Sequence, residues 1–116
     1  MSQRDDAVPM RHMLDHAREA CELVVGRSRA EIHADRLLQL ALTRLVEIVG
    51  EAAGRASRET QARFAAVPWR EAITTRHRIT HGYDVVDYDI LWDTVQSDFP
   101  PLISELEQAL GESGGR

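Results

Sequence analysis

The sequence predicts an all-α protein, an antiparallel bundle of four to five helices in one domain. Apolar residues recur at three- and four-residue intervals through most of the 116 residues. Glycine, proline and capping residues divide this pattern into segments of helical length. The one stretch that alternates like a strand, residues 83–88, is too short and too acidic to hold a sheet. We expect the domain to span residues 1–110, with a flexible Gly- and Ser-containing tail at 111–116.

The first helix is predicted to begin at Pro9, because proline suits the first turn of a helix, where its missing N–H costs little. Gly26 is the predicted end of this helix. One apolar stripe connects the two ends, and it consists of Met10, Met13, Leu14, Ala17, Cys21, Val24 and Val25.

A second, long helix is predicted from about Ala30 to beyond Ala52, with Gly54 as a plausible end. Its polar face carries arginine and glutamate. Its apolar face is wide and consists of Leu37, Leu38, Ala41, Leu45, Val46, Ile48, Val49 and Ala52.

Three further segments complete the prediction. Ser57 can cap a short helix that ends at residue 65 or 66. Pro68 fits the first turn of the next helix, which Gly82 would break. Asp87 can cap a last long helix. Pro100 and the proline that follows it either kink this last helix or divide it.

The charge of the chain is unevenly distributed. The formal net charge is −5, which argues against a protein that coats nucleic acid by charge alone. All 14 basic residues are arginines, and residues 1–83 contain 13 of them, whereas residues 84–116 contain one arginine and eight acidic residues. An arginine-rich first part beside an acidic second part could match a partner or a second copy of the chain.

Cysteine content and hydropathy indicate the compartment. Cys21 is the only cysteine, so no intrachain disulfide can form, and a reducing environment is the natural setting. No apolar run approaches the roughly 20 residues of a membrane span, and the polar first residues do not resemble a signal peptide. We therefore expect a soluble cytoplasmic protein that does not act on a membrane.

The strongest candidate for a catalytic site is the segment of residues 76–83. It contains Arg76, then His81 after four intervening residues, then Tyr83 after one more. Positions five apart on an α-helix differ by about 140° in direction, so Arg76 and His81 can converge only if the helix ends near Gly82. Arginine offers a fork of donors that matches a phosphate, and histidine can carry a proton near neutral pH. Together they could cleave RNA without a metal, with the ribose 2′-hydroxyl as nucleophile and Arg76 stabilising the charge on phosphorus.

Spacing alone leaves a second interpretation open. An arginine and a histidine five residues apart are common, and a histidine near the C-terminus of a helix is favourable because its charge meets the helix dipole. His12 and His16, four apart on the first helix, could likewise bind a metal, but the sequence suggests no third ligand, so we interpret them as surface residues.

The wider pattern resembles a known family. The segment of residues 76–83 is similar to the Arg-x4-His-x-Tyr signature of the HepT toxins within the HEPN superfamily. The resemblance extends to the Gly-Glu-Ala at residues 50–52 and to the Val-Pro-Trp at residues 67–69. It includes the Leu-Trp-Asp-Thr-Val at residues 91–95 and the Phe-Pro-Pro-Leu at residues 99–102, and it covers roughly residues 8–110 in the same order.

This resemblance implies a HEPN-type bundle that forms a homodimer, in which two copies of the motif face one another across a cleft. It implies a metal-independent endoribonuclease without a cofactor, the toxin of a type II toxin-antitoxin pair. Its antitoxin partner would be a nucleotidyltransferase of the MNT kind, which transfers AMP onto the motif tyrosine. By position, Arg76 and His81 would be catalytic and Tyr83 would accept AMP. AMP phosphates beside Arg76 would compete with RNA for that cation.

Two further residues have supporting roles in this interpretation. His77 follows the arginine where the family usually has Asn or Asp, so a second titratable group leaves the division of acid and base roles open. Glu51 is either a polar group beside the cleft or an ordinary carboxylate at a helix end. The alternative function is a catalytically silent helical module that binds the nucleotidyltransferase, which the negative net charge favours.

Overall fold

The computed structural model describes residues 3–80 and 85–111, with the side chains of residues 7–80 and 85–111. In this part of the chain, helices follow one another with short connections. They are α1 (Gln3–Leu23), α2 (Arg29–Ala34), α3 (Arg36–Arg55), α4 (Arg58–Arg63), α5 (Trp69–Arg78), α6 (Tyr88–Asp93), a π-helical turn (Thr94–Asp98) and α7 (Phe99–Ala109).

The all-α prediction is confirmed. Four of the described helices have ten or more residues, namely α1, α3, α5 and α7, and three have six. Helix α1 runs antiparallel to the last part of the chain, because Arg18 donates to Glu107 at 2.8 Å while the later residue Cys21 donates to the earlier carbonyl of Val95 at 3.7 Å. No helix in the described ranges is long and apolar enough to cross a membrane.

The core lies between α1, α3, α5 and the α6–α7 region. Its largest fully buried apolar side chains are those of Met13, Leu14, Ile32, Leu42, Ile79, Leu91 and Leu106. Each main helix thus buries one stripe against its neighbours, which is how an amphipathic bundle gains most of its stability.

The predicted start of the first helix is wrong. Helix α1 begins at Gln3, six residues before Pro9, which lies inside the helix. Proline removes one hydrogen bond to the carbonyl four residues earlier. The polar residues before it nevertheless continue the helix, so Pro9 does not mark a boundary. Gly26 lies beyond the end of α1 in the left-handed conformation, with φ of 75°, as a chain reversal after a helix requires.

The predicted second helix is two helices. Asp35 has extended backbone angles and separates α2 from α3, and its carboxylate accepts from the N–H of Leu38 at 3.0 Å. The apolar spacing continues across this break, which hides it in the sequence. The break also changes which residues face the core, so Leu37 is 78% exposed rather than part of the predicted apolar face.

Two predicted caps are confirmed. The hydroxyl of Ser57 accepts from the N–H of Thr60 at the start of α4, and the carboxylate of Asp87 accepts from the N–H groups of Asp89 and Ile90 at the start of α6. Such bonds satisfy donors that have no partner inside the helix.

The two consecutive prolines, Pro100 and Pro101, divide the last helix without interrupting the helical path. They occupy the first turn of α7, and the π-turn precedes them. The N–H of Phe99 donates to the carbonyl of Thr94, five residues earlier. The wider turn connects two α-helices where the prolines donate no hydrogen bonds of their own.

Candidate active site

Helix α5 carries the first residue of the predicted motif. It begins at Trp69, whose buried indole donates to the carbonyl of Phe64 at 3.0 Å and so fixes the entry of the chain into the helix. Glu71 lies in the first turn, and the three basic residues 76–78 lie in the last turn. This distribution of charge complements the helix dipole and favours a helix at these residues.

A close approach between backbones positions α5 against α3. Gly50 is buried in α3, and a Cβ atom built on it would lie only 2.9 Å from the carbonyl oxygen of Ala72 and 3.8 Å from that of Ile73. No larger residue fits there without moving a helix, because the atom in the way belongs to the backbone. The contact occurs beside the motif, since Cδ of Arg76 lies 3.7 Å from the same Cβ position.

Glu51 lies between two arginines in this region. Its carboxylate is 4.0 Å from Nη1 of Arg76 and 3.5 Å from Nη1 of Arg44. Arg44 lies in α3 as Glu51 does, seven positions earlier. Positions seven apart share a helix face, which explains the second contact. Neither distance is that of a bidentate pair, so the carboxylate orients the two guanidinium groups without occupying all their donors.

Arg76 is accessible to a ligand. Its side chain is 40% exposed, and that of Glu51 is 34% exposed. A guanidinium group that is held on one side by a carboxylate and open to solvent on the other can bind a phosphate with its remaining donors.

The structure separates His77 from this contact. It is exposed in the last turn of α5, about 100° around the helix from Arg76, and it has no hydrogen bond or ion pair within the described residues. The other two motif residues, His81 and Tyr83, lie outside the described residues, so their predicted roles stay predictions.

The chain returns to α5 after the motif. The N–H of Asp87 donates to the carbonyl of Ile79 at 2.6 Å, and Thr80 and Val86 form an antiparallel bridge. The hydroxyl of Thr80 also donates to the carbonyl of Arg76 at 3.2 Å. The residue before His81 in the sequence is therefore held one helical turn from Arg76.

The carboxyl group of Asp98 lies near Arg78, the last residue of α5. Burial raises the pKa of the Asp98 carboxyl, while the positive charge of Arg78 opposes that rise and the negative charge of Glu71 adds to it. Arg78 and Glu71 are seven positions apart and share one face of α5, so their opposite charges act on Asp98 from the same face.

Metal ligands do not converge in the described ranges, where no group of three or more His, Cys, Asp or Glu side chains could hold an ion. His12 and His16 stand edge to face, with ring centroids 6.2 Å apart, and Nδ1 of His16 lies 2.6 Å from the carbonyl oxygen of His12. His12 is exposed, as its interpretation as a surface residue expects, whereas His16 is half-buried.

Two residues of the site were missed by sequence reasoning. Gly50 entered only as part of a resemblance, although an isolated glycine inside a strong helical pattern often marks a close approach of backbones. Arg44 is one of the arginines on the predicted polar face of the second helix, and its position seven residues before Glu51 could have indicated their contact.

Comparison with known proteins identifies a family that matches most of the chain. Residues 13–109 match a family model described as "Ribonuclease HepT-like". The match includes the whole segment from α3 to α7, and with it the Gly50 contact and the motif.

Individual relatives agree with this match. "Putative RNase MJ1380" of Methanocaldococcus jannaschii is 30% identical over 107 residues, which cover 92% of this chain and 98% of the relative. "Putative RNase TTE0752" of Caldanaerobacter subterraneus subsp. tengcongensis is 30% identical over 104 residues, which cover 86% of this chain and 93% of the relative. "Probable ribonuclease HepT" of Thermococcus cleftensis is 32% identical over 99 residues, which cover 82% of this chain and 90% of the relative. No solved structure matches the chain.

Proposed function

Because the chain belongs to the HepT-like ribonuclease family of the HEPN superfamily, we propose that it is an endoribonuclease whose active site is built on Arg76 and His81. The observation that carries the proposal is the position of Arg76. The Gly50 contact brings it beside Glu51, and its guanidinium group remains open to solvent.

The reaction needs only groups of the RNA and of the protein. The ribose 2′-hydroxyl attacks the adjacent phosphorus and loses its proton to a base, while the bond to the 5′-oxygen breaks and that oxygen takes a proton from an acid. The products are a 2′,3′-cyclic phosphate and a 5′-hydroxyl end. Arg76 would stabilise the charge that builds on the phosphate oxygens, and His81 would carry one of the two protons.

Glu51 acts in this proposal as a positioning residue. Its carboxylate lies 4.0 Å from Nη1 of Arg76, and the attraction between the two charges would reduce the number of orientations from which the guanidinium meets a phosphate. His77, exposed on the same turn, is available as a second proton carrier near the substrate.

The active protein is proposed to be a homodimer, in which two copies of the motif face one cleft and contribute two His81 side chains. One histidine could then act as base and the other as acid. Sedimentation equilibrium measures this directly, and a monomer that cleaves RNA at the full rate would exclude the shared site.

The proposed biological role is that of the toxin in a type II toxin-antitoxin pair located in the cytoplasm. The antitoxin would be an MNT-type nucleotidyltransferase that joins the α-phosphorus of ATP to the hydroxyl oxygen of Tyr83 and releases pyrophosphate. An AMP group there would place negative charge near Arg76 and block RNA. Intact-mass analysis after co-expression should show added AMP that maps to Tyr83 and disappears in Tyr83→Phe.

The test of the ribonuclease is cleavage of RNA by the purified chain in EDTA. We expect cleavage to persist in EDTA, because no step requires a metal, and to fall by at least about 100-fold in His81→Ala, which removes a proton carrier. Arg70→Gln is the matched control for Arg76→Gln, because Arg70 is an exposed arginine of the same helix that forms no ion pair with Glu51. Cleavage that EDTA abolishes, or that His81→Ala leaves unchanged, would contradict the proposal.

A second function is favoured by the net charge of −5, which is unusual for a protein that binds RNA through a basic surface. In that case the chain is a silent helical module that binds the nucleotidyltransferase. Expression of the chain alone separates the two functions, because the ribonuclease should arrest growth and the silent module should not.

A further inference from the structure

A groove lies on the outer face of α3, next to the candidate active site. Its volume is about 460 Å³. Val86 and Tyr88 line one side, and residues of α3 line the other, namely Arg36, Gln39, Leu40, Thr43, Arg44 and Glu47. Glu47 is the one carboxylate of this lining, and it lies 3.6 Å from Nη1 of Arg44. Clefts of about 300–1,000 Å³ are of the size that holds small ligands or parts of larger ones.

The groove is continuous with the site in two ways. On one side, Arg44 contacts Glu51, which contacts Arg76. On the other side, Val86 forms the bridge with Thr80, the last described residue before His81. A ligand that extends from the guanidinium of Arg76 along α3 therefore enters the groove.

Two arginines of the groove are available for phosphates. Arg36 is exposed and has no ion pair within the described residues, and Arg44 is 61% exposed with contacts to carboxylates no closer than 3.5 Å. Eight residues of α-helix separate their backbones by about 12 Å. At roughly 3.4 Å per stacked nucleotide, that distance corresponds to three or four nucleotides of one strand.

Tyr88 supplies an aromatic ring across from these arginines. The ring is half-buried at the start of α6, and the imidazole of His33 stands edge-on to it at 6.1 Å between centroids and 88° between planes. The ring packs against the core as well as against His33, which limits the directions in which it can turn. A fixed aromatic ring beside cationic side chains is the arrangement on which unpaired bases stack.

We propose that this groove binds a single-stranded segment of RNA next to the bond that is cut, with Arg36 and Arg44 on its phosphates and Tyr88 stacked on one base. The proposal rests on the ribonuclease function. It specifies an unpaired strand, because a base inside a duplex offers no free face to Tyr88. A second copy of this chain would have to bring carboxylates to Arg36 and Arg44, and the sedimentation measurement below tests that occupant.

The first experiment measures binding of a short unstructured oligoribonucleotide to full-length His81→Ala, which cannot cut it. We expect Arg36→Gln/Arg44→Gln to weaken binding about tenfold or more and to lower the slope of log affinity against log salt by about 1.4, as the loss of two phosphate contacts to a single strand requires. Arg58→Gln/Arg70→Gln is the matched control, because it removes two exposed arginines outside the groove. An equal loss of RNA affinity in the two double variants would overturn the proposal.

The second experiment tests stacking. Tyr88→Ala should weaken binding about 5- to 100-fold, while Tyr88→Phe should bind like the unchanged chain because stacking needs the ring and not the hydroxyl. On an oligomer of the same length without bases, Tyr88→Ala should make no difference. A loss on this oligomer as large as that on RNA would show a structural effect and overturn the stacking role.

Two further measurements separate the groove from its alternatives. If the arginine or tyrosine variants convert a dimer to monomers in sedimentation, the groove is a protein interface and the proposal is wrong. If the wild-type chain cuts RNA but the groove variants retain its KM, the proposal that the groove binds RNA is wrong, whereas the proposed ribonuclease function is supported. If the wild-type chain cuts no RNA at all, the ribonuclease function fails, and the groove loses the function on which it rests.

Discussion

Two contacts between helices in this molecule are built in opposite ways. Helix α3 meets α5 through Gly50, where backbones approach so closely that a single methyl group would lie 2.9 Å from a carbonyl oxygen. Helix α2 meets α6 through exposed charges, with Arg29 contacting Asp93 and Asp89, and His33 contacting Asp89 at 3.0 Å. The first contact is buried and made by backbone atoms, and the second is open to water.

The difference indicates which part of the bundle must be held accurately. A packed contact between backbones does not respond to salt and tolerates little displacement. Exposed ion pairs are screened by salt and contribute little to the free energy of unfolding. The candidate catalytic arginine lies on the packed contact, where a displacement of 1 Å would already reduce catalysis strongly.

The largest effect is expected from Gly50→Ala. The added methyl group forces α3 and α5 apart, because the opposing atom is the carbonyl oxygen of Ala72. We expect the free energy of unfolding to fall by about 1–3 kcal/mol. Denaturant titration measures this loss, and RNA cleavage should fall more steeply than the folded fraction because Arg76 moves with α5.

Gly54→Ala is the matched control in the same helix. Nothing lies within 4 Å of a Cβ at that position, and it is exposed. Alanine is the better helix former, so we expect stability to rise by about 0.5–1 kcal/mol with cleavage unchanged. If both glycine variants behaved alike, the close approach would have no special role.

The next effect is expected from Trp69→Phe, at the other end of α5. Phenylalanine retains most of the buried ring but cannot donate to the carbonyl of Phe64. The carbonyl of Phe64 still accepts from the N–H of Val67 at 3.0 Å, so the variant loses one of its two hydrogen bonds. We expect about 0.5–1.5 kcal/mol of lost stability by thermal or chemical unfolding. A neutral result would mean that the carbonyl finds water and that the tryptophan does not fix the entry of α5.

Glu51→Gln should change activity more than stability. The carboxylate is one-third exposed and loosely paired, so its loss should cost less than about 1 kcal/mol. Removal of the negative charge should lower KM for RNA, because Arg76 and Arg44 then attract phosphates without competition. The value of kcat should fall, because Arg76 is less restrained. Steady-state kinetics separate the two, and a fall in kcat without any change in KM would contradict the competition.

The smallest effect is expected from Asp89→Asn, in the ionic contact. The hydrogen bond from His33 and then that from Arg29 hold the pKa of the Asp89 carboxyl below its usual range. Its stabilising effect is therefore complete above the unfolded pKa near 3.9 and disappears as pH falls through the lowered folded value. We expect Asp89→Asn to lower Tm slightly at neutral pH, less in high salt, and not at all in strong acid.

Measurement of Tm across pH and salt tests this behaviour. The salt dependence should be absent from the loss caused by Gly50→Ala. If high salt reduced both losses equally, the distinction between a packed and an ionic contact would be wrong.

Local signals in the sequence predicted much of the fold. The caps at Ser57 and Asp87 depend on neighbours within a few residues, and the structure confirms them. The apolar stripe of α1 is confirmed from Met10 to Ala17, whereas Val25 lies beyond the end of the helix and is 78% exposed. The predictions at Pro9 and Asp35 were wrong for opposite reasons. One is a helix breaker that the helix tolerates, and the other is a cap hidden inside a continuous apolar pattern. Helix periodicity alone cannot distinguish these cases.

The candidate site depends on contacts between residues far apart in the chain. The motif predicted Arg76 as a phosphate-binding group, but its distance to Glu51 depends on how α3 crosses α5. Gly50 fixes that crossing through a backbone atom of Ala72, which has no signature of its own in the sequence. The groove along α3 likewise exists only because α6 lies across from Arg36 and Arg44.

The central claim is that the Gly50 contact positions Arg76 for RNA cleavage, and a double-mutant cycle tests it most directly. Single-turnover cleavage would be measured for Gly50→Ala, Arg76→Ala and the double variant, each shown to be folded by circular dichroism. If glycine acts through the arginine, the double variant should cleave no more slowly than Arg76→Ala alone. Losses that multiply in the double variant would show that the two residues act independently and would contradict the claim.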